Sequence, residues 1–300
     1  MSITIETIIQ KIGDWQGRQV EARALSGGLT NTNYQVTVDG TPYFVRVPGA
    51  STDLLAINRQ NEYYNSKAAA EAGVGPQVLY HLPEYDVMVL EFITGQTMSN
   101  QALSAPGMPT RIAQSLKLLH AGPRFLTDFN MFRVTEFYLG IVKEYEVHIP
   151  EDFIERMSKV KQIEQAMLVH PISSVPCNND LLAENYIDDG KMLRLIDFEY
   201  SGNNDPTFEL ANTCQELQYD DARIQEMCQA YFGKVTPALL ARIKLNMIMS
   251  DVGWTLWAAI QAKISKIEYD FWGWAVERWS RAVDKMDSPA FSGWIRDASA

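Results

Sequence analysis

The first ninety or so positions carry a pattern of polar and apolar residues that reads as mostly β with one helical stretch, and from about Thr94 apolar residues recur mainly at helical spacing. QVEARALSGGLTNTNYQVTVDGTPYFVRV (19–47) holds three β-rich runs separated by SGGLTN and DGTP, both turn-forming. LLAINRQNEYYNSKAAAEAG (54–73) predicts a helix closing on Gly73 as its C-cap. GPQVLYHLPEYDVMVLEF (75–92) predicts two further strands around a turn from His81 to Asp86. From about Thr94 the pattern turns helical: SAPGMPTRIAQSLKLLHAG, one amphipathic stretch from Glu136 to His170, and a long tail from Asp205. Strands first and helices second is the order of a two-lobed α+β protein. The expected division is a small β-sheet lobe with one helix over 1–93 and a larger, mainly helical lobe over 94–300.

Composition narrows the classes. With 300 residues and 46% apolar content the chain can bury a sizeable core, as one large domain or two lobes. No apolar run approaches the about 20 residues of a membrane span, and MSITIETIIQKIGDW lacks the basic start of a secretory signal. A cytoplasmic protein without stable membrane insertion is expected. Three cysteines without a CxxC pair suggest neither disulfides nor zinc, and the four histidines are scattered. A net charge of -11 disfavours nucleic acid and fits a cationic substrate. Nothing in the sequence sets an oligomeric state.

The chemistry concentrates in PCNNDLLAENYIDDGKMLRLIDFEY (176–200). Two short strands joined by the Asp188-Asp189-Gly190 turn would bring the loop before the first beside the end of the second. Asp180, Asn185 and Asp197 then converge. A carboxylate with an amide oxygen is a hard-oxygen set suited to Mg²⁺, and the remaining Asp could orient or deprotonate a hydroxyl. The bland alternative is a hairpin with polar turns. In the small lobe the glycines of SGGLTNTNY would let backbone N–H groups approach phosphate, although SGG is also an ordinary turn. Arg46 lies in the apolar strand YFVRV, where a charge is costly unless it is paired or faces a cleft; Glu62 on the next helix is a candidate partner.

DxxxxN followed by an apolar strand and IDFEY resembles the catalytic loop and metal-binding Asp of the protein-kinase-like phosphotransferases. Within them the chain resembles the choline/ethanolamine kinases and their aminoglycoside phosphotransferase relatives, whose loops read much like CHNDLLxxN. The resemblance runs from about Leu25 to Met286 and implies a bilobal protein-kinase-like fold. Carried over residue by residue, it makes Asp180 the catalytic base and Asn185 and Asp197 the Mg²⁺ ligands. Gly27, Gly28, Thr30 and Asn31 match the phosphate loop. Arg46, positioned by Glu62, would hold ATP phosphates. VLEFITG matches the hinge, whose backbone near Glu91 to Ile93 would bind adenine. Two positions depart from the pattern: Asn178 stands where the family has His, and Glu209 where Asp is usual. His120, in LKLLHAG, is expected to be structural.

The tail has a physical oddity of its own. In NMIMSDVGWTLWAAIQAKIS, Leu245, Ile248, Met249, Val252, Leu256, Ala259 and Ile260 form one stripe; at about 100° per residue, Trp254, Trp257 and Gln261 fall opposite it. In the next helix Trp272, Val276, Trp279, Val283 and Met286 predict a core stripe from which Trp274 points away. These indoles, with Tyr269 between the helices, make either a second packing surface or an aromatic cage for a quaternary ammonium. The resemblance favours the cage: WTLWAAIQAKISKIEYDFWGWA is similar to the C-terminal aromatic segment of choline kinases. It implies Trp254, Trp257, Tyr269 and Trp274 around the cation, with Glu216, from FELANTCQE, supplying an acid. The expected activity is ATP-dependent phosphorylation of choline. The alternatives are ethanolamine or another small amino alcohol as acceptor, or a kinase-like choline-binding protein without turnover.

Overall fold

A computed structural model describes residues 3–25, 28, 30–49 and 52–300. The chain opens with a helix the sequence pattern did not announce, α1 (Ile5–Lys11), capped by the Thr4 hydroxyl. Three antiparallel strands follow, β1 (Val20–Leu25), β2 (Asn31–Val38) and β3 (Thr41–Pro48), then α2 (Arg59–Glu71), β4 (Val78–Leu82) and β5 (Val87–Glu91). The sheet order is β1-β2-β3-β5-β4. Its buried face carries Val36, Val38, Val45, Val47, Val87 and Val89, closed by Ile5, Ile8, Ile12 and Trp15 from the N-terminal segment. α2 starts later than LLAINRQ suggests, because residues 52–55 form a separate 3₁₀ turn and Asn58 caps the helix proper. Gly73 has φ of +81°, which ends the helix as expected.

The larger lobe begins with β6 (Gln96–Thr97), α3 (Asn100–Leu103) and α4 (Met108–His120). The single amphipathic stretch expected from Glu136 to His170 is instead two helices, α5 (Met131–Glu144) and α6 (Phe153–Val169). The break falls where Glu146 takes φ of +50° and Pro150 follows, since proline cannot continue a helix. Next come β7 (Val175–Cys177), β8 (Tyr186–Asp188), β9 (Leu193–Leu195) and β10 (Gly202–Asn204). The helical tail is α7 (Pro206–Glu216), α8 (Asp221–Phe232), α9 (Pro237–Ile264), α10 (Phe271–Met286) and α11 (Phe291–Ala298). This is the bilobal α+β architecture, with two helices rather than one beside the small sheet.

α9 forms the axis of the large lobe. It packs against α5, α7, α10 and α11, so both its predicted stripe and its opposite face are buried, Trp254, Trp257 and Gln261 included. α10 departs from expectation. Its buried positions are Phe271, Ala275, Arg278, Trp279, Ala282 and Met286, while Val276 is 45% exposed. The helix is rotated so that Arg278 reaches carboxylates inside the protein, an interaction that a stripe of apolar residues cannot reveal.

Candidate active site

β8 and β9 form the expected hairpin, with Gly190 at φ +86° in its turn. The hairpin brings the loop before β8 against the end of β9: the Ile196 amide donates to Asn185 O at 3.0 Å. The Asn185 amide donates to Asp180 O at 2.7 Å. That bond commits the side-chain nitrogen and leaves Oδ1 as the atom able to meet a cation. Asp197 follows directly, in the left-handed region at φ +61°, a conformation costly for a residue with a Cβ and concentrated at functional sites. Asp180, Asn185 and Asp197 are therefore brought together as the sequence pattern predicts.

Asn178 holds this arrangement in place. Fully buried, it donates to Ile196 O at 3.1 Å and Asp197 O at 2.8 Å, and its own oxygen accepts from the Asp180 amide at 3.1 Å. One side chain thus ties the candidate base to the candidate metal ligand. Its backbone N–H is gripped by both oxygens of Glu209, which also meets His120 at 3.1 Å. The extra methylene of Glu209 is accommodated, and His120 is part of the scaffold.

Burial and neighbouring carboxylates raise the pKa of both acids. Asp180 is pushed up to about 7 by burial, then by Glu216 and Glu199, with Arg278 opposing. Asp197 is solvent-accessible yet closely surrounded by protein; that desolvation, then Glu199, Glu62 and Asp180, hold it well above the usual carboxylate range. Carboxylate oxygens of Glu62, Asp197 and Glu199 lie within 4.8 Å of one another. Glu62 and Glu199 are already engaged by Arg46 and Arg59, so within this cluster Asp197 is the carboxylate left to meet a divalent cation.

In the small lobe Arg46 pairs with Glu62, Nε to Oε1 at 2.8 Å, both buried. Sequence reasoning missed two members of this network. Arg59 bridges Glu62 at 2.7 Å and Glu199 at 2.9 Å. Glu199 also accepts from Thr30 at 2.6 Å and from Asn31 at 2.9 Å, while Asn31 accepts from Arg59 and Arg46. The side chains of Thr30 and Asn31 are thus spent on joining the lobes. A Cβ on Gly28 would sit 2.3 Å from Asn31 O, so the turn admits no side chain there; Gly27 lies outside the described residues. Glu91 ends β5 with its amide on Gln77 O. Ile93 is half-buried in the connection between lobes, where Gly95 packs so tightly that a Cβ would meet Asp188 O at 2.5 Å.

Beyond Asp180 the aromatic residues gather. Trp257 and Trp274 meet edge to face at 5.6 Å, and Trp274 meets Tyr269, which is 49% exposed, at 6.0 Å. Trp254 joins through Tyr200, at 4.9 Å and 77°, and the Trp257 indole donates to the Tyr200 hydroxyl at 2.6 Å. Trp254 and Trp257 are nearly sealed, so the open side of the group is that of Tyr269 and Trp274. Glu216 is engaged by Arg278. Tyr200 is a further candidate missed in the sequence, although it closes the same IDFEY motif.

A family model described as choline/ethanolamine kinase matches residues 22–229. Ethanolamine kinase 1 of Mus musculus is 27% identical, the match covering 89% of this chain and 84% of that protein. Among solved structures, a choline/ethanolamine kinase family protein from Mesorhizobium loti superposes with a TM-score of 0.86 at 32% identity, covering 98% of this chain and 97% of the other. Choline kinase LicA from Streptococcus pneumoniae gives a TM-score of 0.79 at 26% identity, over 94% of this chain and 98% of the other.

Proposed function

The chain belongs to the choline/ethanolamine kinase family, and from that premise we propose that it transfers the γ-phosphoryl group of ATP to the hydroxyl of choline. The observation that carries this reading is the convergence of Asp180, Asn185 and Asp197 around one buried prop, Asn178, with aromatic rings on the acceptor side. Asn185 and Asp197 would hold Mg²⁺, which when bound offsets the charge of the phosphates. Arg46, fixed by Glu62, would add positive charge at the phosphates, and the backbone of Glu91 to Ile93 would meet adenine at a division between residues 93 and 94.

Asp180 would accept the proton of the choline hydroxyl as its oxygen attacks phosphorus; a carboxyl near 7 is matched to a base working near neutrality. Catalysis in this class is mostly positioning and electrostatics, so the rings serve to fix the cationic end while the hydroxyl reaches Asp180. Tyr269 and Trp274 would form the open part of that wall, backed by Trp254 and Trp257. The tethering bonds that Asn178 makes to the loop support turnover over a non-turnover reading based on that residue.

The test is ADP release with Mg-ATP and either choline or ethanolamine at equal concentration. Faster release with choline is expected. A strong ethanolamine preference overturns the choice of acceptor, and no release despite choline-dependent thermal stabilisation overturns the enzymatic reading.

A further inference from the structure

α10 turns a cation into the protein interior. Arg278 is 1% exposed. Its terminal nitrogens form a fork on Glu216, Nη1 to Oε1 at 2.7 Å and Nη2 to Oε2 at 2.8 Å. Its guanidinium carbon lies 4.3 Å from the centre of the Trp274 ring, and Nη1 stands 3.5 Å from Asp251 Oδ1. Asp251 Oδ1 also accepts from Arg281, and its Oδ2 accepts from Gln215. One guanidinium therefore joins the end of α7, the middle of α9 and the aromatic turn of α10.

This changes what Glu216 can offer a substrate. A bidentate fork takes a lone pair from each carboxylate oxygen and offsets the charge. An ammonium bearing N–H groups needs acceptors to replace its water, whereas a trimethylammonium has no donor to satisfy and is well met by ring faces. We infer that the Arg278–Glu216 fork is a specificity-determining device: by occupying one lone pair on each Glu216 oxygen and offsetting the charge it weakens Glu216 as a partner for N–H groups, so that acceptor efficiency rises with N-methylation. Arg278 acts through Glu216 and Trp274 and is a positioning residue. The inference rests on the reading of this site as one for amino alcohols.

The experiment measures kcat/KM for ethanolamine, its N-methyl and N,N-dimethyl derivatives and choline, at saturating Mg-ATP, in wild type and in Arg278→Lys. A lysine offers a point charge in place of the fork and frees one Glu216 oxygen. Wild type is expected to climb along the series, with choline ahead of ethanolamine by roughly tenfold or more. Arg278→Lys is expected to compress that ratio by roughly tenfold, chiefly through the KM of ethanolamine. A purely structural role for Arg278 would lower all four values together. Because each ratio is taken within one preparation, a partly folded variant does not distort it; if Arg278→Lys fails to fold, Glu216→Gln is read instead, where a choline-to-ethanolamine ratio within about threefold of wild type is expected and a larger rise overturns the inference. A flat or descending wild-type series, or an unchanged ratio in Arg278→Lys, overturns the inference while leaving the kinase reading intact. Phosphorylation of none of the four by wild type removes the reading beneath it.

Discussion

Replacing Asn178 with Ala isolates the residue at which this chain departs from the family motif. The substitution removes three hydrogen bonds at a fully buried position, leaving the carbonyls of Ile196 and Asp197 and the amide of Asp180 without that partner. A buried polar group left unsatisfied costs about 1–3 kcal/mol, and the loop will relax, so a total loss of about 3–5 kcal/mol is expected. With a urea dependence of about 1–3 kcal/mol per molar, the unfolding midpoint should fall by more than about 1 M. Function should suffer beyond stability. Asp197 sits at φ +61°, and without the tether on its carbonyl it relaxes away from Asn185. Turnover per folded molecule is therefore expected to drop by about two orders of magnitude, in line with the cost of misplacing a reacting group. Urea unfolding followed by fluorescence, paired with ADP release below the unfolding transition, measures both. A loss under about 1 kcal/mol with near wild-type turnover would show that the prop is not needed and would refute the reasoning.

Asp180→Asn tests the charge environment of the proposed base. Because the folded carboxyl is raised from 3.8 to about 7, its ionised form is disfavoured in the native state, and stability is lost as pH rises through that window. The neutral amide should therefore stabilise the protein at pH 8 by at most about 4 kcal/mol, with the gain shrinking by more than half at pH 5, while turnover disappears. A gain independent of pH, or retained turnover, counts against the assignment. Gly95→Ala should cost about 1–3 kcal/mol, since its Cβ would press on Asp188 O in the connection between lobes; thermal melts showing no loss would mean the connection is looser than described.

What the sequence made legible was local. The turn at Gly190, the cap at Gly73 and the convergence of Asp180 with Asn185 and Asp197 follow from short-range patterns of turn residues and strand alternation. The Arg46–Glu62 pair could be anticipated because a lone charge in an apolar strand demands a partner. Contacts between distant segments could not be anticipated. Nothing in the sequence marks Arg59, and only the fold carries Glu199 to it. Tyr200 lay beside a motif already read as metal-binding, yet its role in backing Trp254 and Trp257 depends on where α9 passes. Arg278 was invisible for the opposite reason: helical periodicity assigns cations to solvent, so α10 was phased on Val276 and the buried fork on Glu216 was lost.

The central claim is that the protein phosphorylates an alcohol whose cationic end is held by rings. It is tested most directly by comparing choline with 3,3-dimethylbutan-1-ol, the uncharged carbon isostere of the same shape. Attraction of about 0.5–2 kcal/mol at each of about three rings predicts that kcat/KM for the isostere falls by at least about tenfold. Equal efficiency for the two alcohols would contradict the account.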